Sequence, residues 1–79
     1  MMINKFKEWL MQGREIEFLY NGDEYFIGNY EEGRAIFKGN EMKCEYYLED
    51  DKFLSEADID GRKLKDILIR EDLKIITIF

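Results

Sequence analysis

The sequence predicts that residues 1–79 form a single α+β domain, with an N-terminal helix, an antiparallel sheet of about four to five strands, and short helices before a C-terminal strand. Asn21-Gly22 and Gly39-Asn40 each join two strand-like runs, and apolar residues at helical spacing precede and follow these hairpins. A chain of 79 residues, 46% of them hydrophobic, can build one core. It buries only about 60% of its unfolded surface, which makes stability marginal.

An amphipathic helix is predicted at the start of the chain. Ile3, Phe6 and Leu10 recur at i, i+3 and i+7, and Gly13 follows them as a left-handed stop. A helix this short is marginal in water, so we expect its apolar side to pack on the sheet. Anchoring to a membrane surface is the alternative, but the mixed charges of this helix do not give the strongly basic face that anchoring requires.

The strongest local signal is a hairpin at residues 15–30. Asn21 and Gly22 supply the two positive φ angles that a type I′ turn needs. The resulting register gathers one aromatic and aliphatic set on one face, namely Ile16, Phe18, Tyr25 and Ile27. The opposite face is mixed and consists of Glu17, Leu19, Glu24 and Phe26. We expect the helices to cover the first of these faces.

A second hairpin is predicted around Gly39 and Asn40, which suit the central positions of a type II′ turn. Its charged and apolar pairs alternate, as a half-buried ribbon requires. Between Cys44 and Leu48 the chain either continues the strand or leaves it. The predicted pairs are Lys38 with Glu41, Phe37 with Met42, Ile36 with Lys43, Ala35 with Cys44, and Arg34 with Glu45.

Helical spacing returns in the second half of the chain. One short helix begins at Asp50 or Asp51, either of which can cap it. A second follows Asp60, which is interpreted as its cap, and a turn at Glu71 and Asp72 follows that helix. The apolar sides are Phe53, Leu54 and Ala57 in the first helix and Leu64, Ile67 and Leu68 in the second.

The final strand, residues 74–79, is apolar on both sides, which is typical of a strand inside a sheet. We therefore expect neighbouring strands on both of its edges, or pairing with a second copy of the chain in a homodimer. Leu19 and Phe26, on the outer face of the first hairpin, add apolar surface for such a dimer. The predicted core also includes Phe6, Leu10, Phe37, Leu64, Ile67, Leu68, Ile75 and Phe79.

Charge and hydropathy limit the classes of partner. The formal net charge of −6 lies in residues 41–60, where eight acids oppose two lysines, while the other residues hold ten acids and ten bases. This field repels phosphates, so direct nucleic-acid binding is not expected. The sequence has no membrane-length apolar run and no secretory signal, so we expect a cytoplasmic protein without membrane contact. The single cysteine, Cys44, suits a reducing compartment.

Catalytic chemistry is limited by the residue types that are missing. The chain has no His and only one residue each of Ser, Thr and Cys, so a nucleophile with an imidazole base cannot be built. The glycines match neither the G-x-G-x-x-G nor the G-x-x-x-x-G-K-S/T spacing of phosphate-binding loops, and no cofactor is expected. The lack of Pro and His, with abundant Lys, Ile, Asn, Glu and Tyr, resembles the composition of small proteins from AT-rich bacterial or phage genomes.

One metal-binding pattern is incomplete. Glu56, Asp58, Asp60 and Gly61 occupy positions 1, 3, 5 and 6 of an EF-hand loop. The twelfth position, which should hold a bidentate acid, is Ile67. Helix capping and a turn account for the same residue types, so no metal is expected.

Residues 41–60 supply the candidate site, because clustered acids beside aromatic residues suit contact with a basic protein surface. We expect a small non-enzymatic interaction module, such as an inhibitor or immunity-type protein. The alternatives are a merely solvated acidic face, a small-molecule or peptide sensor with a pocket between sheet and helices, a structural or oligomeric domain, and a minor enzyme. The candidate partner-binding residues are Glu45, Tyr46, Tyr47, Glu49, Asp50 and Asp51.

Overall fold

A computed structural model describes residues 2–79 and confirms the predicted α+β class. The chain begins with helix α1 (Met2–Met11) and strands β1 (Ile16–Tyr20), β2 (Asp23–Tyr30), β3 (Gly33–Lys38) and β4 (Glu41–Met42). It continues with α2 (Asp50–Glu56), β5 (Asp58–Ile59), β6 (Arg62–Lys63), α3 (Leu64–Ile69) and β7 (Leu73–Ile78). Within residues 2–79, no helix has the length and apolar character to cross a membrane.

The main sheet is antiparallel, with strand order β4-β3-β2-β1-β7. Its first hairpin turns at Asn21 and Gly22, whose φ angles are 55° and 85°, as a type I′ turn requires. Phe18 lies opposite Tyr25, so the predicted register is confirmed. Since β2 pairs with both β1 and β3, neighbours in sequence form the centre of the sheet.

The helices cover one face of the sheet. Phe6 of α1 meets Phe18 edge to face, with 6.5 Å between ring centroids, and Phe18 stacks on Tyr25 at 5.6 Å. The predicted inner face of the hairpin is confirmed, since all four of its residues are at most 3% exposed. The core side chains from the helices are Ile3, Phe6 and Leu10 in α1, Phe53 and Leu54 in α2, and Leu64, Ile67 and Leu68 in α3.

Two residues predicted to lie in the core belong to the opposite face of the sheet. Phe37 is half-buried and pairs across the strands with Phe26. It points away from the helices because successive side chains alternate and its neighbour Ile36 is fully buried. Phe79 is 59% exposed and contacts Phe26 edge to face, with centroids 6.1 Å apart. Ile75, also predicted in the core, pairs with Phe18 and packs half-buried against the core cluster.

Of the two arrangements predicted for the last strand, the one with neighbouring strands of the same chain on both edges is wrong, and pairing with a second copy stays a prediction. In the part of the chain that the structure describes, β7 pairs with β1 alone and forms an edge. The pairing register shifts between Glu17 and Phe18, and this irregularity accompanies the exposed Ile76, which is 45% accessible. A bulge and a lysine, here Lys74, are features that discourage other strands from adding to an edge.

The second hairpin follows its predicted register only near the turn. Lys38 pairs with Glu41 and Phe37 with Met42, as predicted. Beyond β4 the chain bulges by two residues, so that Tyr47 takes the place opposite Arg34. The predicted pairs that are wrong are Ala35 with Cys44 and Arg34 with Glu45.

Strands β5 and β6 form a small hairpin that was not predicted. Asp60 and Gly61 both have positive φ angles, 52° and 90°, so this Asp-Gly pair turns the chain. The predicted helix cap at Asp60 is therefore wrong, and α3 begins later, after Lys63. The dipeptide was a usable turn signal, but two-residue strands are too short to show a period of two.

Replacing Phe18 by Ala tests this assignment of faces, because Phe18 is fully buried. We expect the free energy of unfolding to fall by about 3–5 kcal/mol. This loss is comparable with the whole stability of so small a domain. Urea denaturation measures it. Phe79→Ala is the matched control, for which we expect at most about 1 kcal/mol because Phe79 is 59% exposed and loses mainly its ring contact with Phe26. Equal losses for the two variants would contradict the assignment.

Candidate functional site

Within the acidic residues 41–60, the backbone at Tyr47 is hydrogen-bonded to β3. The Arg34 N–H donates to the Tyr47 carbonyl at 2.7 Å, and the Tyr47 N–H donates to the Arg34 carbonyl at 2.9 Å. Gly33 allows this approach, because a Cβ there would lie 2.6 Å from the Tyr47 carbonyl oxygen and the local φ is 130°. The backbone around Tyr47 thus has a defined position beside the sheet.

The two adjacent tyrosines point in different directions. Tyr47 is half-buried and packs on Phe53 of α2, with 6.1 Å between ring centroids. Burial raises the pKa of the Tyr47 hydroxyl. Tyr46 is 40% exposed and meets Tyr30 edge to face at 6.1 Å. Tyr46 is therefore the tyrosine available to a partner, whereas Tyr47 joins the segment to the helix layer.

Asp50 is committed to a structural contact. Its Oδ1 atom lies 2.5 Å from Nε of Arg34, and the two side chains are 27% and 10% exposed, respectively. Another nitrogen of the guanidinium donates to the carbonyl of Leu10 near the end of α1. Asp50 consequently neutralises an internal charge and is not a free docking residue, in contrast to its predicted role.

The free carboxylates surround an open depression of about 560 Å³. Lys52 is the basic residue in its lining. Glu41 and Asp60, elsewhere in the acidic residues 41–60, are not free carboxylates, because they form ion pairs with Lys43 at 2.9 and 3.3 Å. Leu48, 79% exposed, is an apolar member of the lining that sequence reasoning missed. The lining residues are Glu45, Tyr46, Tyr47, Leu48, Glu49, Lys52 and Glu56.

Four of the six predicted partner-binding residues therefore share one surface, and two do not. Asp50 binds Arg34, and Asp51 lines a different depression together with Lys7 and Lys65. We define the acidic surface as the exposed acidic and apolar side chains of the first depression, namely Glu45, Tyr46, Leu48, Glu49 and Glu56, beside which Lys52 is an exposed base. No ion pair within 4.0 Å involves its carboxylates in residues 2–79.

Cys44 is a half-buried free thiol that lines a neighbouring depression together with Glu45, Tyr47 and Glu56. Its sulfur accepts a weak hydrogen bond from the Ile36 N–H at 3.4 Å. Burial raises the pKa of the thiol, which favours its unreactive neutral form. Over the described range 2–79, no group of three or more His, Cys, Asp and Glu side chains is arranged to hold a metal ion.

The fold and this surface together define a small α+β domain with an acidic and partly aromatic patch at one side of its sheet. Comparison of the chain with protein-family models, with curated proteins and with solved structures gives no match. The interpretation of the acidic surface consequently depends on its geometry and charge.

Replacing Asp50 by Asn tests the structural role assigned to this residue. The change leaves the buried guanidinium of Arg34 without its counter-charge. We expect the free energy of unfolding to fall by about 2–3 kcal/mol, below the roughly 3–5 kcal/mol of a fully buried pair because Asp50 is 27% exposed. Chemical denaturation at neutral pH measures the loss.

Asp51→Asn is the matched control, because Asp51 is exposed and occupies the same first turn of α2. We expect a change of at most about 0.5 kcal/mol. Similar losses in both variants would assign the effect to the helix N-terminus, and not to the contact with Arg34.

Alkaline pH should destabilise the fold. Folding raises the pKa of several groups, through burial for Cys44, Tyr25 and Tyr47 and through hydrogen bonds to carboxylates for Lys38 and Lys43. The folded state binds these protons more tightly, so the unfolded chain releases them first and stability falls as pH rises. The fall begins near pH 9.0, the ordinary pKa of the thiol, and continues above 10.5, that of the lysines.

The thermal unfolding midpoint, recorded from neutral to alkaline pH, measures this decline. In the Cys44→Ala variant the first part of the fall should disappear, because the thiol has the lowest ordinary pKa of these five groups. A midpoint that stays constant or rises with pH would overturn the prediction.

Proposed function

We propose that this protein is a small, non-enzymatic interaction module that docks on a basic surface of another protein through its acidic surface. The observation that carries the proposal is the position of two accessible apolar side chains among free carboxylates. Tyr46 and Leu48 are 40% and 79% exposed, and both line the depression that also contains Glu45, Glu49 and Glu56. Exposed aromatic and apolar side chains supply contact area, while charges set partner preference.

The charge balance of the depression supports a basic partner. Three carboxylates face one lysine, Lys52, in its lining. Because the carboxylates make no ion pair in the part of the chain described by the structure, their field extends into solvent. Such a field speeds encounter with a positively charged surface and opposes association with phosphates or acidic proteins.

The sensor alternative has less support. The space between sheet and helices, where such a pocket was expected, is occupied by close-packed side chains, of which Phe6, Phe18, Phe53 and Ile67 are fully buried. A small molecule would have to displace core side chains to enter this layer, at a cost in stability that a small domain cannot easily tolerate.

A homodimer remains a second candidate, in which two copies pair along β7. The free edge of this strand and the exposed side chains of Ile76 and Phe79, 45% and 59% accessible, favour it. The bulge beside Ile76 and the charge of Lys74 oppose regular strand pairing. The acidic surface lies near the β3–β4 side of the sheet, so the two contacts do not exclude each other.

Charge reversal at the acidic surface tests the proposed function. A basic protein captured from cell lysate serves as the partner, and binding kinetics are recorded over a series of salt concentrations. We expect Glu45→Lys with Glu49→Lys to lower the association rate at least tenfold at low salt, because long-range attraction is lost. In the unchanged protein the rate should fall steeply with salt, since the screening length is about 8 Å at physiological ionic strength.

The control is a double variant with the same change in net charge elsewhere, Glu8→Lys with Asp66→Lys, at exposed positions on α1 and α3. We expect a much smaller effect from this pair. If both double variants slow association equally, the attraction belongs to the whole molecule. A salt-independent rate that neither variant changes would remove the acidic surface from the binding site.

A further inference from the structure

A row of aromatic side chains crosses the sheet face that the helices leave uncovered. Tyr46 meets Tyr30 edge to face at 6.1 Å, and Tyr30 meets Phe37 at 5.8 Å. Phe37 is the cross-strand partner of Phe26, which in turn meets Phe79 at 6.1 Å. We call these five residues the aromatic row. It begins at the acidic surface, with which it shares Tyr46, and extends to the β7 side of the sheet.

The local backbone is adapted to this row. A Cβ atom at Gly28 would lie within 2.6 Å of ring atoms and the hydroxyl of Tyr30, so the glycine leaves the space that this side chain occupies close to the backbone. Ala35, which pairs with Gly28 on the same face, is 0% exposed. At the centre of this face, aromatic rings therefore lie close to the backbone at the small residues Gly28 and Ala35.

Charged residues beside the row favour a particular kind of partner. Glu17 pairs with Phe26, and Glu24 pairs with Leu19 on the same face. Neither carboxylate forms an ion pair within residues 2–79. Lys74, the β7 partner of Leu19, is a base on this face. Because the glutamates outnumber this lysine, a second copy placed face to face would carry the same excess of negative charge, whereas lysines and arginines satisfy carboxylates and also bind the faces of aromatic rings.

An ordinary protein–protein interface is larger than the acidic surface. Stable protein contacts involve roughly 20 residues from each partner, whereas the acidic surface consists of the five residues named above. The uncovered face is five strands wide, which is roughly 19 Å between its outer strands. Because Tyr46 belongs to both areas, the face extends the acidic surface without a break.

From these observations we infer that the acidic surface and the aromatic row form one continuous docking surface for a cationic amphipathic protein segment. This inference rests on the proposed function and adds the nature of the partner. Lysine or arginine side chains of the segment would meet Glu17, Glu24 and Glu45, and its apolar side chains would cover Phe26 and Phe37. Single-stranded nucleic acid could also stack on rings, but these carboxylates would repel its phosphates.

A synthetic amphipathic helix of lysine and leucine provides the test, with a matched peptide carrying glutamate in place of lysine and an oligothymidine as comparison ligands. Fluorescence anisotropy gives the affinities, and amide chemical shifts of the unmodified protein map the contacts. We expect the lysine peptide to bind, to shift the amides of Phe26, Tyr30 and Phe37, and to bind far more tightly than either comparison ligand.

Threonine substitutions in the row provide the matched variants, because threonine is a good strand former. We expect Phe26→Thr and Phe37→Thr each to weaken binding of the lysine peptide about tenfold. Ile69→Thr, at a 46% exposed position on α3, should leave it unchanged. Circular dichroism identifies any variant that fails to fold, and the shift map of the unmodified protein does not depend on the variants.

The outcomes separate this inference from the proposed function. Shifts confined to the acidic surface, with affinity unchanged in both threonine variants, would overturn the inference and leave the acidic surface as the binding site. Tighter binding of oligothymidine, or no binding of the lysine peptide, would overturn the assignment of partner. Shifts in the row that appear on raising the protein concentration, with dimers in sedimentation, would show that a second copy covers the face.

Discussion

The contact between the guanidinium of Arg34 and the carboxylate of Asp50 connects parts of the molecule that strand pairing does not join. Arg34 belongs to β3, its partner Asp50 begins α2, and a second guanidinium nitrogen donates to the carbonyl of Leu10 in α1. The backbone of the same arginine holds Tyr47. A buried charge is costly unless it is paired, so this arrangement favours one position of both helices over the sheet. The placement of the acidic surface depends on it.

The helix ends make this contact favourable. The last carbonyl groups of a helix lack intrahelical donors and carry partial negative charge, and the guanidinium meets α1 there through Leu10. The first turn of α2 has unpaired N–H groups and partial positive charge, and Asp50 lies in that turn. Each member of the ion pair thus faces a helix end of the opposite sign. This complementarity of charge allows an ion pair to join the two helices to β3.

The sequence predicts the parts of the fold that short-range chemistry determines. Asn21-Gly22 fixes the first hairpin and its register, and helical spacing identifies the buried side of each helix. One failure is local, since Asp60-Gly61 turns a hairpin and does not cap a helix. Others concern long-range placement, because alternation did not show that Phe37 and Phe79 lie on the uncovered face. In the site, the concentration of acids was evident from composition. The ion pair that engages Asp50 was not evident, because it depends on the burial of an arginine 16 residues earlier in the chain.

The two faces of the sheet contribute unequally to stability. Side chains on the inner face, such as Phe18, are fully enclosed, and each contributes roughly 1.5–3 kcal/mol through burial. Rings on the outer face retain access to water and contribute through cross-strand contacts, worth roughly 0.2–1 kcal/mol each. Phe26 and Phe37 therefore strengthen the pairing of β2 with β3 while remaining available for contact. A change of side chain on the outer face alters what the sheet presents to a partner with a smaller loss of folding free energy than the same change on the inner face.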